Sequence, residues 1–293
     1  MAFLQAPGLA FGHFLTCAAA LDTKTLGTNA PHIGQLLREW RASRRLSQLD
    51  LALAAEVSAR HLSCVETGKA QPSREMVLRL ADALDMPLRE CNALLMAAGY
   101  APKFPETSLS TPAMAQVRRA IELMLEQQEP YPAFLLNRHW DILMANRAAA
   151  RVASFVLRGA SSPHANMIRQ IFDPNDLRSA IVNWEDVAGD LIRHLHDVVS
   201  ATPSDEVARD LLDEALAYPG VPMQWRIRDL GTAPSPLLTT IFRVDDRQLS
   251  FFSAITTFGT PRDVTLDELH IEACFPMDEQ TAEFCRELSQ HDA

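Results

Sequence analysis

Basic residues are in short supply. The 293-residue chain has 27 Lys and Arg against 37 Asp and Glu, a formal net charge of −10. Taken over the whole chain, that argues against a nucleic-acid binder, which usually shows a basic surface. Cysteine is scattered as well: Cys17, Cys64, Cys91, Cys274 and Cys285 include no Cys-x-x-Cys pair. This excludes a disulfide framework and the common zinc ribbons, and fits a reducing cytoplasm. No run of about 18 apolar, uncharged residues suits a membrane span. The 11 glycines and 18 prolines exclude collagen-like or low-complexity character. HExxH, GxGxxG, P-loop and GxSxG signatures are all missing, so no catalytic constellation is visible and no enzyme is expected. His194 and His196 beside Asp197 stand at i and i+2 of a helical stretch and do not share a face, so neither metal nor cofactor is expected there.

What is present is ordinary globular composition, 47% hydrophobic and 22% charged, in a length that suggests about two domains. The charge is uneven. Residues 31–105 carry ten basic and eight acidic side chains, net +2, whereas residues 107–293 carry sixteen and twenty-seven, net −11. A weakly basic segment precedes a strongly acidic one, an asymmetry that can mark a nucleic-acid module beside another function. Residues 1–30 are neutral. Their apolar stretch Phe3–Leu21 lacks the basic start of a signal peptide and is interrupted by Gly and Pro, so a disordered or over-called leader is expected.

Residues 31–100 read as five short helices. Ile33, Leu36, Leu37 and Trp40 recur at helical spacing, with Arg38, Arg41, Arg44 and Arg45 on the other face. Ser47 and Ser58 are N-caps for helices Gln48–Ala55 and Ala59–Thr67, Gly68 ends the latter, Ser73 with Met76 starts a fourth, and Pro87 opens a fifth, Leu88–Ala98. Only Glu56-Val57-Ser58 separates the second helix from the third, so the pair must cross steeply. With Val65-Glu66-Thr67-Gly68-Lys69, this spacing resembles the phage-repressor (Xre) type of helix-turn-helix. Glu56 stands where that turn usually has Gly, so a non-glycine at positive φ is expected. The third helix would enter the major groove of double-stranded DNA. Its Ser58, Ala59, Arg60, His61, Ser63 and Cys64 are the candidate contacts, with Arg60 able to donate two bonds to one guanine. Gln48, Lys69 and Arg44, with Arg41 and Arg45, are candidates for phosphate.

Pro102, Pro105 and Pro112 mark residues 101–112 as a linker or rigid strap. The second domain, residues 113–293, begins with helix Met114–Gln128. Ala133–Leu136 and Ile142–Ala145 read as strands around a turn, and Asn146 as the cap of a helix through Leu157. Helices Leu177–Ala201 and Ser204–Tyr218 follow, then strands Gln224–Leu230, Leu237–Val244, Leu249–Phe258 and His270–Phe275 with Asp245-Asp246-Arg247 as a hairpin, and a short last helix. The expected class is α+β: an all-α helix-turn-helix domain followed by a PAS-like antiparallel sheet covered by helices.

Pro130-Tyr131-Pro132, Arg138-His139-Trp140, Asn183-Trp184-Glu185, Phe258-Gly259-Thr260-Pro261 and Ile271-Glu272 resemble the MmyB-like transcription regulators, over about residues 33–290. The resemblance implies an effector pocket, with a hydrophobic small molecule, a fatty acid first, as ligand. Phe134, Leu136, Trp140, Leu143, Trp184, Trp225, Ile241, Phe251 and Ile255 are the candidate lining, each of which can equally be core. Asn183 is read as a helix cap, Asp263 or Thr265 as the cap of a turn, and Gly259 as a residue of unusual backbone. A cupin would need a His-x-His in strands, and helical repeats would need a period near 34 residues; neither is present. A partner-binding or dimerisation module without a small ligand remains the alternative. A single short reading helix covers one half-site, so a homodimer is expected.

Overall fold

The structure is a computed structural model that describes residues 32–228, 237 and 239–290. The expected leader lies outside the described residues. Local capping chemistry sets the first domain. His32 accepts from the Gly34 N–H to start α1 (Ile33–Ser43). Ser47 and Asp50 exchange both bonds of a capping box at α2 (Gln48–Ala54), Ser58 caps α3 (Ala59–Glu66), and Ser73 caps α4 (Arg74–Ala83). Gly68 stops α3 at φ +74°, and Glu56 does adopt a positive φ, 54°, in the turn before it. Ile33, Leu37, Trp40, Leu51, Leu62, Val65, Leu80 and Leu94 fill one core among these helices and α5 (Leu88–Ala97). α1 lies so close to the end of α3 that a Cβ on Gly34 would stand 2.7 Å from the Val65 carbonyl oxygen.

The strap is fastened rather than loose. Asn92 of α5 accepts from the Lys103 and Phe104 N–H groups and donates to the Phe104 carbonyl, and Val264 N–H donates to the Pro105 carbonyl at 2.8 Å.

The second domain starts with α6 (Ala115–Gln127). Strands β1 (Ala133–Leu136), β2 (Ile142–Ala145), β3 (Thr239–Val244), β4 (Arg247–Thr257) and β5 (His270–Pro276) form one antiparallel sheet in the order β2-β1-β5-β4-β3. Between β2 and β3 run α7 (Arg147–Val156), α8 (Met167–Phe172), α9 (Trp184–Ala201) and α10 (Glu206–Ala217); α11 (Val264–Asp267) precedes β5 and α12 (Glu279–Gln290) follows it. Asn146 caps α7 and Asp263 caps α11. One core, including Leu136, Phe172, Ala188, Leu191 and Leu195, joins the sheet to α8, α9 and α10; a second joins α6 to the sheet, and a third joins α7 and α12 to it. No described helix is long and apolar enough to cross a membrane.

Four expectations change. Leu177–Ala201 is not one helix: a 3-10 turn, Leu177–Ala180, stops at Ile181, because Ile181 bridges Phe242 and the Val182 N–H donates to the Ile241 carbonyl. Asn183 does not cap α9 with its side chain, which instead donates to the Thr239 carbonyl and accepts from the Ile241 N–H. Gln224–Leu230 is not a strand where it is described: Pro222 starts a 3-10 turn over Met223–Arg226. The unusual backbone near Gly259 belongs to Thr260, at φ 50°.

Candidate DNA-reading face, interdomain junction and effector site

The reading helix α3 presents Arg60 and His61 to solvent at its N-terminus, with Lys69 exposed just beyond its end. None of the three side chains has a hydrogen-bonded partner within the described residues. Ala59, Ser63 and Cys64 are half-buried beside them. Ser58 is exposed, and its hydroxyl accepts from the His61 N–H at 3.4 Å.

Of the other expected contacts, Arg45 is exposed, whereas Arg41, Gln48 and Arg44 face inward. Arg41 donates to Glu66 at 2.9 and 3.1 Å, which raises its pKa against the opposing effect of burial, and donates to the Leu46 carbonyl. Gln48 donates to the same carboxylate at 2.7 Å, so the side chain expected to reach a phosphate holds α2 against α3. Glu66 is buried and answers three donors, the arrangement a buried carboxylate requires. Arg38 donates to the Glu66 carbonyl at 2.9 Å. Arg44, expected on phosphate, donates to the Leu84 and Asp85 carbonyls and lies over the Trp40 ring. A cation at the last carbonyls of α4 complements that helix end. Arg41 and Arg44 are therefore structural, whereas Arg45, Arg60 and Lys69 remain exposed.

The two domains meet through charges that the sequence did not flag. Pro87 has no side chain to cap α5, and Asp267 of α11 supplies the acceptor, taking the Leu88 N–H at 3.0 Å. Arg89 donates to Glu268 at 2.6 and 3.0 Å and to Glu106 of the strap at 3.0 and 2.5 Å. Arg138, in the turn between β1 and β2, stands 3.3 Å from Asp205 and from Glu268 and 3.9 Å from Glu90. Ser204 donates to Glu90 at 2.5 Å. His139 Nε2 lies 3.0 Å from Asp205, which caps α10. Burial raises the Asp205 pKa, but the bonds from His139 and the Ala208 N–H, with the charge of Arg138, outweigh it and hold the carboxyl below its ordinary value. The one visible signal was the Arg138-His139-Trp140 segment; its partners are distant in sequence.

Trp140 follows directly, at φ 66°, buried on the sheet. Its ring meets His194 of α9 and His270 of β5 edge-on, both at 5.5 Å between centroids. Phe134 and Leu136 share this cluster, and Trp184 and Trp225 pack against it, 6.1 Å apart. Trp184 donates to the Ile171 carbonyl and carries the Arg178 guanidinium on its face. Trp225 borders a cleft of about 440 Å³ with Gly189, Ile192, Arg193, His196 and Arg228. The remaining candidates go elsewhere. Phe251 belongs to the core under α12, and half-buried Ile241 pairs with Ser250 of β4. Leu143 and Ile255 are exposed, because β2 is an edge strand and the end of β4 extends past its pairing with β3. His194 and His196 diverge, one to Trp140 and the other to the Trp225 carbonyl.

Sequence comparison agrees with this division. No curated protein matches the chain. A helix-turn-helix domain model matches residues 32–94, and the model described as the MmyB-like transcription regulator ligand binding domain matches residues 117–288, more than half of the chain. Neither family is a family of enzymes. The chain belongs to the MmyB-like transcription regulators, DNA-binding regulators that join a helix-turn-helix domain to a ligand-binding domain.

Proposed function

We propose that the chain is a cytoplasmic, homodimeric, sequence-specific regulator of transcription, which reads double-stranded DNA through α3 and answers to a hydrophobic small molecule held by the second domain. The reading is carried by the contrast between the tied arginines of α1 and the outward Arg60 and His61 of α3. Those two side chains are where base edges would be met, and Lys69 would take a phosphate. The −11 of residues 107–293 stays with the second domain, so affinity rests on local contacts rather than a broad positive field. A dimer follows from the reach of one short helix, which spans one half-site. The apolar wall of Phe134, Leu136 and Trp140 suits an alkyl chain, and a fatty acid is the first such ligand to consider.

Selecting genomic fragments on the full chain, then footprinting them, tests the DNA side: two half-sites about one helical turn apart are expected. Solvent extraction of the purified protein followed by mass spectrometry tests the effector side. No enriched apolar compound would favour a second domain that only binds protein partners.

A further inference from the structure

Among the described residues, His270 Nε2 and Glu272 Oε2 are buried polar atoms without a hydrogen-bond partner. They stand at i and i+2 of β5 and so point to the same face of the sheet. The pairing register sets Glu272 opposite Phe134 on one side and Ile255 on the other, and His270 opposite Leu136. The same ring of His270 meets Trp140, which meets His194 from α9. His270 and Glu272 thus share one face of the sheet with Leu136 and Phe134, and Trp140 adjoins His270. A fold that buries polar atoms without partners loses their hydration and gains no bond, so such atoms call for a ligand or an ordered water.

We propose that His270 and Glu272 bind the uncharged polar head of the effector, an alcohol or an amide, whose alkyl chain runs along Phe134, Leu136 and Trp140. The proposal rests on the hydrophobic-effector reading above and replaces its first candidate, a fatty acid, with an uncharged amphiphile. Burial pushes the Glu272 carboxyl above its ordinary value, with a hydrogen bond from Ser253 only partly opposing it. Burial likewise lowers His194, against the pull of Asp197, and lowers His270, with the neighbouring His194 adding to the effect. All three are therefore held toward their neutral forms and offer donors and acceptors without net charge. An ionised fatty acid would meet another carboxyl there and would lose its hydration without gaining a cation. The basic side chains adjoining the cluster in sequence are already engaged: Arg193 with Asp190, and Arg138 with Asp205 and Glu268.

The test compares three probes of one chain length on the delipidated full-length protein: decan-1-ol, decanoate and decylamine. Binding is read by tryptophan fluorescence and by calorimetry at neutral pH. Decan-1-ol is expected to bind about tenfold or more tightly than either charged probe, since hydrating a charge is far more favourable than hydrating a hydroxyl. Glu272→Leu should remove that preference while some binding of the chain survives, and Glu272→Gln, which keeps a donor and an acceptor, should retain it. The Gln variant also guards against loss of fold in the Leu variant. Decylamine binding best, and lost in Glu272→Gln, would overturn the proposal in favour of an ionised Glu272. All three probes binding equally, with Glu272→Leu unchanged, would overturn the head-group site but leave the hydrophobic-effector reading intact. No binding of any probe would overturn both.

Discussion

Arg89 Nε donates to Glu268 Oε1 at 2.6 Å across 179 residues of sequence. The same guanidinium holds Glu106, so the DNA-binding domain, the strap and the second domain meet at one side chain. Arg138 is the second cation of this junction, two residues from Trp140. A change at the Trp140 cluster therefore has a short physical route to α5, the last helix of the DNA-binding domain. A ligand that favours one arrangement of this junction would shift the population of DNA-binding states.

Arg138→Ala should destabilise the second domain. It leaves Glu90 and Asp205, both buried, short of a cation, and breaking such a pair from one side costs about 3 kcal/mol. Denaturant unfolding measures the loss, and proteolysis within residues 101–112 should accelerate. Unchanged unfolding and unchanged cleavage would mean that the junction carries no energy.

Arg60→Ala should leave unfolding unchanged, because the side chain is exposed and touches nothing that a fold requires. Its cognate operator should bind about 1–3 kcal/mol more weakly, with specificity relaxed at one position. Lys69→Ala should instead weaken all sequences alike and lower the salt slope by about one. Equal operator affinity of wild type and Arg60→Ala would remove Arg60 from the reading set.

Gly34→Ala should unfold or loosen the first domain. The added methyl would collide with the backbone of Val65 and Glu66, which cannot withdraw without moving α3. Overpacking of this kind costs about 1–3 kcal/mol or more. A wild-type melting temperature in the variant would contradict the close approach of α1 to α3.

Stability should fall as pH drops below about 6.5, the ordinary imidazole value. His194 and His270 have lowered values when folded, so below that pH the unfolded chain binds more protons and stability rises with pH. The loss grows until pH reaches the folded values. Glu272 has the opposite sign: its raised value means that stability declines as pH rises above about 4.3, the ordinary carboxylate value. Asp205 is depressed, so its contribution is present above about 3.9 and is lost only at lower pH. Melting temperatures across this range should therefore peak at mildly acidic to neutral pH. His194→Asn should flatten the descent between about pH 6.5 and pH 5; an unchanged slope would contradict the lowered value of His194.

The first domain was legible because its signals are local. Ser47, Ser58 and Ser73 cap helices through bonds to residues three positions away, and Ile33, Leu37 and Trp40 mark a buried face by spacing alone. Charge was less legible. Arg44 and Gln48 look like phosphate ligands until Leu84 and Glu66 are brought beside them by folding. Most strands were readable, but Ile181-Val182 is drawn out of a helical pattern by pairing with β3, which no local signal announces. The candidate effector residues were chosen for being large and apolar in strands. That criterion picked out Phe134, Leu136 and Trp140, which share one cluster, included the exposed Leu143 and Ile255, and passed over His270 and Glu272, each with one buried polar atom that lacks a hydrogen-bond partner among the described residues.

Coupling of effector occupancy to DNA reading through the junction would show in operator affinity. Operator affinity of the full-length protein, measured at fixed salt before and after removal of the extracted small molecule, tests it most directly. A change of about 5- to 150-fold is expected in the wild type, and a much smaller one in Arg138→Ala. Identical operator affinity for the loaded and stripped wild-type protein would contradict it.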